Sequence, residues 1–210
     1  MARPVNADAE ATKTRIITAA SHAFATDGVI GASLRRIADD AGISLGLIRH
    51  HFGNKDSLYD ACIESSYLLM AQLTPELEER FNTNDAIEDV IAHLMRIAYR
   101  AVLAHRDTIQ LLTEDLIRPT PNRSQGGPTA LIRFIELVCQ RFGEATSRPA
   151  ESFRLPIRTL IMLICRYALV NPNEIAMLHG IADTTTEMTT TVHDIVEQHL
   201  VEVALALLVN

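Results

Sequence analysis

Between Ala32 and Leu58 the chain reads ASLRRIADDAGISLGLIRHHFGNKDSL. Arg35, Arg49, His50, His51 and Lys55 supply cationic or polar donors there, and Ser33 and Ser44 supply hydroxyls. The chemistry such a set suits is the gripping of a polyanion. A guanidinium forks onto a phosphate or onto the O6/N7 edge of guanine, and an ammonium holds phosphate as a point charge. From Ser33 to Ser57 four Lys/Arg face three Asp/Glu, a balance of +1 inside a chain of net charge −7. Residues 1–60 hold seven of each sign, so the remainder carries the whole −7. That asymmetry argues against indiscriminate polyanion binding by the entire molecule and permits a local contact face.

The elements that must position these groups are helices. Ser33 is placed to cap a short helix running through Asp40, Gly42 supplies the positive φ of a tight turn, and Ser44 is placed to cap a further helix ending near Phe52-Gly53-Asn54. Ala38 is small where the two would cross, Ile37 and Ile43 can enter the core, and Ile48 and Phe52, four apart, give the later helix a buried edge. Leu45, Gly46, Leu47, Arg49 and His50 are then directed away from the core. Ahead of this pair, Glu10–Thr26 has an apolar stripe of Ile16, Ala19, Ala20, Ala23 and Phe24, with Gly28 as a left-handed stop; behind it, Asp56 to Leu73 reads as a fourth helix stopped by Thr74-Pro75. Two helices joined by a Gly-containing turn form a helix-turn-helix unit, whose second helix enters the major groove of duplex DNA. With so small a local charge, one copy would bind moderately and a dimer is expected.

Beyond Pro75 the helical segments lengthen: Asp85–His105, Thr108–Ile117, Thr129–Phe142, Glu151–Val170 and Glu187–Leu208, with a turn at Asn171-Pro172 leading toward another short helix. RPTPNRSQGGP, Arg118–Pro128, has the composition of a connector, and a polar turn starts at Asp183. Cys62, Cys139 and Cys165 are odd in number, far apart and set in apolar helical patterns, which argues against a disulfide framework or metal cluster and for a reduced, cytoplasmic protein. Adjacent His50 and His51 lie ~100° apart on a helix and do not suit one metal ion. The N-terminus lacks the apolar core of a secretory signal, and LIMLIC, Leu160–Cys165, is too short to span a membrane. No Gly-rich phosphate loop, G-x-S-x-G elbow or H-E-x-x-H is present, so neither enzyme nor cofactor is expected.

TRIITAASHAFATDGVIGASLRRIADDAGISLGLIRHHFGNKDSLYDA, Thr14–Ala61, resembles the N-terminal DNA-binding domain of TetR-family transcriptional regulators. The shared elements are Ile16/Ala20/Phe24/Gly28, Ser33-Leu34, Ile37-Ala38, Ala41-Gly42-Ile43-Ser44, His51-Phe52, Lys55 and Leu58. The resemblance implies an all-α chain. Residues 1–60 would form a three-helix DNA-binding domain, the first ten or so a flexible arm in which Arg3 could reach a minor groove, and 61–210 a larger helical domain for ligand binding and dimerisation. Ser33, His51 and Lys55 would contact phosphates; Arg35, Leu45, Gly46, Arg49 and His50 would face base edges or nearby backbone. Arg49 stands where the family often has Tyr, which leaves its role open between readout and phosphate contact.

The implied function is a homodimeric, ligand-responsive regulator, a repressor in preference to an activator, on a palindromic operator. The alternative is an all-helical carrier of small molecules whose helix-turn-helix no longer reads DNA. Candidate ligand residues are Arg96, Tyr99, Arg100, Glu114, Arg133 and Arg158, with His93, His105, Asp115 and Arg166 as further members; for each, a solvated edge or a satisfied core group is the commoner reason for its place. For dimerisation the apolar stripe Val196, Leu200, Val203 and Leu207 is the candidate, with Leu163 on the preceding long helix; burial within one chain is the competing explanation.

Overall fold

The computed structural model describes residues 5–83, 85–117, 126–181 and 186–209. The arm carrying Arg3, the body of the 118–128 connector and the polar turn at 183–185 lie outside them, as does the side chain of Asp115. The elements are α1 (Val5–Gly31), α2 (Leu34–Asp40), α3 (Leu45–Phe52), α4 (Lys55–Gln72), α5 (Thr74–Phe81), α6 (Ile87–Ala104), α7 (Arg106–Ile117), α8 (Gly126–Thr146), a 3-10 turn (Ala150–Phe153), α9 (Arg154–Leu169), α10 (Pro172–Leu178) and α11 (Thr186–Leu208). The described residues contain no strand. Pro75 was expected only to stop α4. It also begins α5, because a proline in the first turn of a helix forfeits no intrahelical hydrogen bond.

Two compact units result, Met1–Leu69 with Asp107–Thr129 and Met70–Arg106 with Ala130–Asn210. The expected boundary at residue 60 therefore falls inside α4. In the first unit Ile16, Ala20 and Phe24 of α1, Ile37 and Ala38 of α2, Ile48 of α3 and Leu58, Cys62 and Ile63 of α4 are all buried. The Phe24 and Tyr59 rings meet edge to face with centroids 5.4 Å apart. α7 is fastened to the same unit by polar contacts. His22 Nδ1 lies 2.9 Å from Asp107 Oδ2, Gln110 Nε2 donates to the Ala25 carbonyl at 3.2 Å, and the Ser66 hydroxyl donates to the Thr108 carbonyl at 3.2 Å.

The α2–α3 turn depends on Gly42, whose φ is +64°. Its carbonyl and that of Ala41 both accept from Arg15 Nη2 of α1, at 3.2 Å for Gly42 and closer for Ala41. A Cβ on Gly42 would approach the same guanidinium nitrogen to 3.1 Å. Gly28, at φ +70° and ψ 168°, interrupts α1 and lets one further turn follow before Ala32.

In the second unit α6, α9 and α11 pack against one another, and α5 and α8 complete the core with Leu77, Val138 and Phe142. The expected dimer stripe divides on this packing. Val196 and Leu200 are buried, Leu200 completely, within their own chain, together with Ala204 and Leu208; they have no surface left to offer a partner. Leu163, Val203 and Leu207 are partly exposed. Where α6 meets α11, the Tyr99 hydroxyl and His193 Nδ1 share a 2.9 Å hydrogen bond, and Arg100 pairs with the buried Glu197 through Nε at 2.6 Å and Nη2 at 3.0 Å. Burial, helped by Glu197, pushes the Tyr99 phenol up to about 12, and burial holds the His193 imidazolium below its ordinary range.

Three outcomes follow from these contacts. Gly42→Ala forces an L-residue into the left-handed region and should cost ~1–2 kcal/mol in urea unfolding. Leu200→Arg places an unpaired charge in the core and should cost ~3–5 kcal/mol, giving loss of helical circular dichroism and not a folded monomer by sedimentation. Because His193 has a lowered folded-state pKa, the unfolded chain binds its proton first. Its contribution to stability is present above about pH 6.5 and lost as pH falls below that value, so His193→Gln should flatten the unfolding free energy between pH 7.5 and 5.5.

Candidate nucleic-acid interface

α3 is short and leans on its neighbours. The Ser44 hydroxyl caps it, accepting the Leu47 N–H at 3.3 Å, and Gly53 at φ +77° ends it. Ile48 is its one fully buried residue; Phe52 and, in the preceding turn, Ile43 are only half-buried. The opposite side presents Gly46, Arg49 and His50 to solvent, while Leu45 and Leu47 are half-covered. The His50 and His51 rings meet at 69° with centroids 5.3 Å apart, and His51 lies 6.2 Å from Phe52, so His51 forms the half-buried edge of the surface. Among the described residues, no set of His, Cys, Asp and Glu is arranged to hold a metal ion.

The four basic residues of the motif are not equivalent. Arg36 Nη1 is engaged by Asp27 at 2.7 Å, with Asp40 at 3.9 Å from its Nε, so its charge is largely offset. Lys55 Nζ donates to the carbonyls of Ile30 and Ala32, both at 3.3 Å, which ties the end of α1 to the start of α4 and leaves one of the three ammonium hydrogens. Arg35 and Arg49 are exposed, and no acidic residue among those described pairs with either. Ser33 occupies the N-cap position of α2, but its side chain makes no capping bond, so the exposed hydroxyl is left for another acceptor or donor. Asn54, which the spacing did not single out, caps α4 by accepting the Ser57 N–H at 2.8 Å.

The second unit holds a partly open apolar cavity of about 70 Å³. None of the six residues expected to bind a ligand lines it, and each has a physical reason to be elsewhere. Arg96 and Arg133 are exposed, Arg158 is half-buried, Tyr99 is spent on His193 and Arg100 on Glu197. Glu114 belongs to the first unit, where it accepts from Gln110 at 2.9 Å. The cavity wall is built from the apolar stripes that the sequence pattern marked simply as core. No side-chain type signals a void between such stripes.

Residues 16–62 match the family model for bacterial regulatory proteins of the tetR family. Over 76 residues the chain is 36% identical to the HTH-type transcriptional repressor AcnR of Corynebacterium jeikeium, covering 36% of this chain and 40% of that protein. Over 78 residues it is 40% identical to the HTH-type transcriptional regulator SrpR of Pseudomonas putida, covering 37% of each. The chain thus aligns with about two fifths of these relatives' length. A solved TetR-like transcriptional regulator from Rhodococcus sp. RHA1 shares the fold at a TM-score of 0.58 and 19% identity, over 98% of both chains. The helix-turn-helix segment, residues 16–62, is thus similar to that of bacterial regulatory proteins of the tetR family.

Proposed function

We propose that this chain is a transcriptional repressor that binds a palindromic operator as a homodimer and is released by a small-molecule effector. The observation that carries the reading is the surface of α2 and α3. Its two exposed, unpaired guanidinium groups, Arg35 and Arg49, stand beside the free Ser33 hydroxyl and an open α3 surface at Gly46 and His50. Arg49 suits a guanine edge, Arg35 and Ser33 suit phosphate or nearby bases, and His51 and the remaining Lys55 N–H suit phosphate. Ser44, Leu45 and Leu47 shape the helix end that enters the groove. The repressors and regulators among the relatives support the same reading.

Dimerisation is assigned to the exposed side of α9, where Leu155 and Met162 lie seven apart, with Leu163 at its edge and the partly exposed Val203 and Leu207 of α11 beside it. Two-fold symmetry would place two recognition helices in successive major grooves. An effector in the second unit needs only modest leverage. A hundredfold loss of operator affinity corresponds to about 2.7 kcal/mol of coupling.

Selection of bound duplexes from a random pool at two salt concentrations tests the reading. A palindrome should emerge, with Arg49→Ala costing ~1–3 kcal/mol and relaxing base preference at one position per half-site, and Arg35→Ala lowering affinity across sequences. No enrichment at either salt from a folded dimer would leave the helical carrier as the better account.

A further inference from the structure

The apolar cavity of the second unit says what kind of effector this chain admits. Leu77 of α5, Leu94 and Val102 of α6, Phe142 of α8 and Ile164 and Cys165 of α9 are among its walls, and among the described residues no charged or hydrogen-bonding side chain other than the thiol lines it. Two ionic groups on the same helices are spent on partners elsewhere. Arg100 is held by Glu197, and Arg141 is held by Glu78 and Glu144. An ionised ligand group placed against this wall would lose its hydration with little to replace it, since among the described residues no charged side chain lines the cavity.

We infer that the cavity takes an uncharged, hydrocarbon-like molecule, a single aromatic ring or an alkyl chain end, and excludes ligands whose buried part is ionised. This rests on the effector reading proposed above and specifies its ligand. Size narrows the class further. At about 70 Å³ the space is smaller than the ~150 Å³ apolar void that accommodates benzene, so entry requires the walls to give. Met95, an unbranched side chain in the lining, is suited to that adjustment. Arg96, Arg133 and Arg158, the polar candidates from the sequence, do not line it.

Cys165 provides the readout. It is a free, partly accessible thiol in the cavity wall, whereas Cys62 is a free buried thiol in the other unit. The full-length protein is treated with N-ethylmaleimide at mildly alkaline pH with toluene, with benzoate or with neither, and modification of each cysteine is followed by peptide mapping. Toluene at ten times its Kd should slow modification of Cys165 about tenfold relative to Cys62, and benzoate at the same concentration should not. Protection by benzoate equal to that by toluene, or by neither compound up to the solubility of toluene, would overturn the inference. Operator affinity is measured in the same samples. Protection of Cys165 by toluene with unchanged operator affinity would uphold the ligand class and count against effector release.

Discussion

The geometry of the first unit turns on one cation. Arg15 reaches from α1 to the carbonyls of Ala41 and Gly42, the two residues that redirect the chain between α2 and α3. A turn with positive φ at Gly42 leaves those carbonyls pointing outward, and a guanidinium with several donors in one plane can satisfy both. The exposed surface of α2 and α3 inherits its position from this corner. α3 is only eight residues long and buries Ile48 alone completely, so it has little intrinsic reason to hold its orientation. The Ser44 cap fixes its start, the Arg15 clamp fixes the turn before it, and the Lys55 tether fixes the segment after it.

The division of charge between the units has a related logic. In the first, cations are partly consumed by structure: Arg15 by the turn, Arg36 by Asp27 and Lys55 by the end of α1. What remains unpaired is small in number and concentrated on one surface, which favours discrimination over sheer affinity. In the second, Arg100 pairs with Glu197 and Arg141 with Glu78 and Glu144, while the cavity is lined by apolar side chains. The chain's excess of acid is therefore a property of its outside and says nothing about what its inside will admit.

Much of this was legible in the residues. The helix-turn-helix boundaries follow from Gly42, Ser44 and Gly53, because caps and positive-φ glycines are local signals that tertiary packing rarely overrides; Ser33 marks the start of α2 by position, without a capping bond. The long helices beyond residue 85 follow from their apolar periodicity. Four things were not legible. α5 was hidden because Pro75 signals a stop and a start with the same residue. The burial of Val196 and Leu200 was hidden because an apolar stripe does not say which surface covers it. The cavity was hidden because voids arise from how stripes meet, so polar residues such as Arg133 and Glu114 drew attention that the apolar walls did not. Arg15, counted at first only as a charge, was unreadable for a different reason: its two partners lie 26 and 27 residues away.

α7 sits more than thirty residues beyond α4 in sequence, yet Asp107, Thr108 and Gln110 complete the packing of α1 and α4. The first unit is thus discontinuous, and its core includes Ile109, Leu111 and Leu112. A fragment ending after α4 would leave the α7-facing sides of Phe24's helix and Ser66's helix bare, so the helix-turn-helix unit is not a contiguous N-terminal piece. Chimaeric regulators built by exchanging heads at residue 60 or 70 would join an α7 shaped for one α1 to a different one. In this chain an exchange is limited to heads and bodies whose side chains at positions 22, 66, 107 and 110 are mutually compatible.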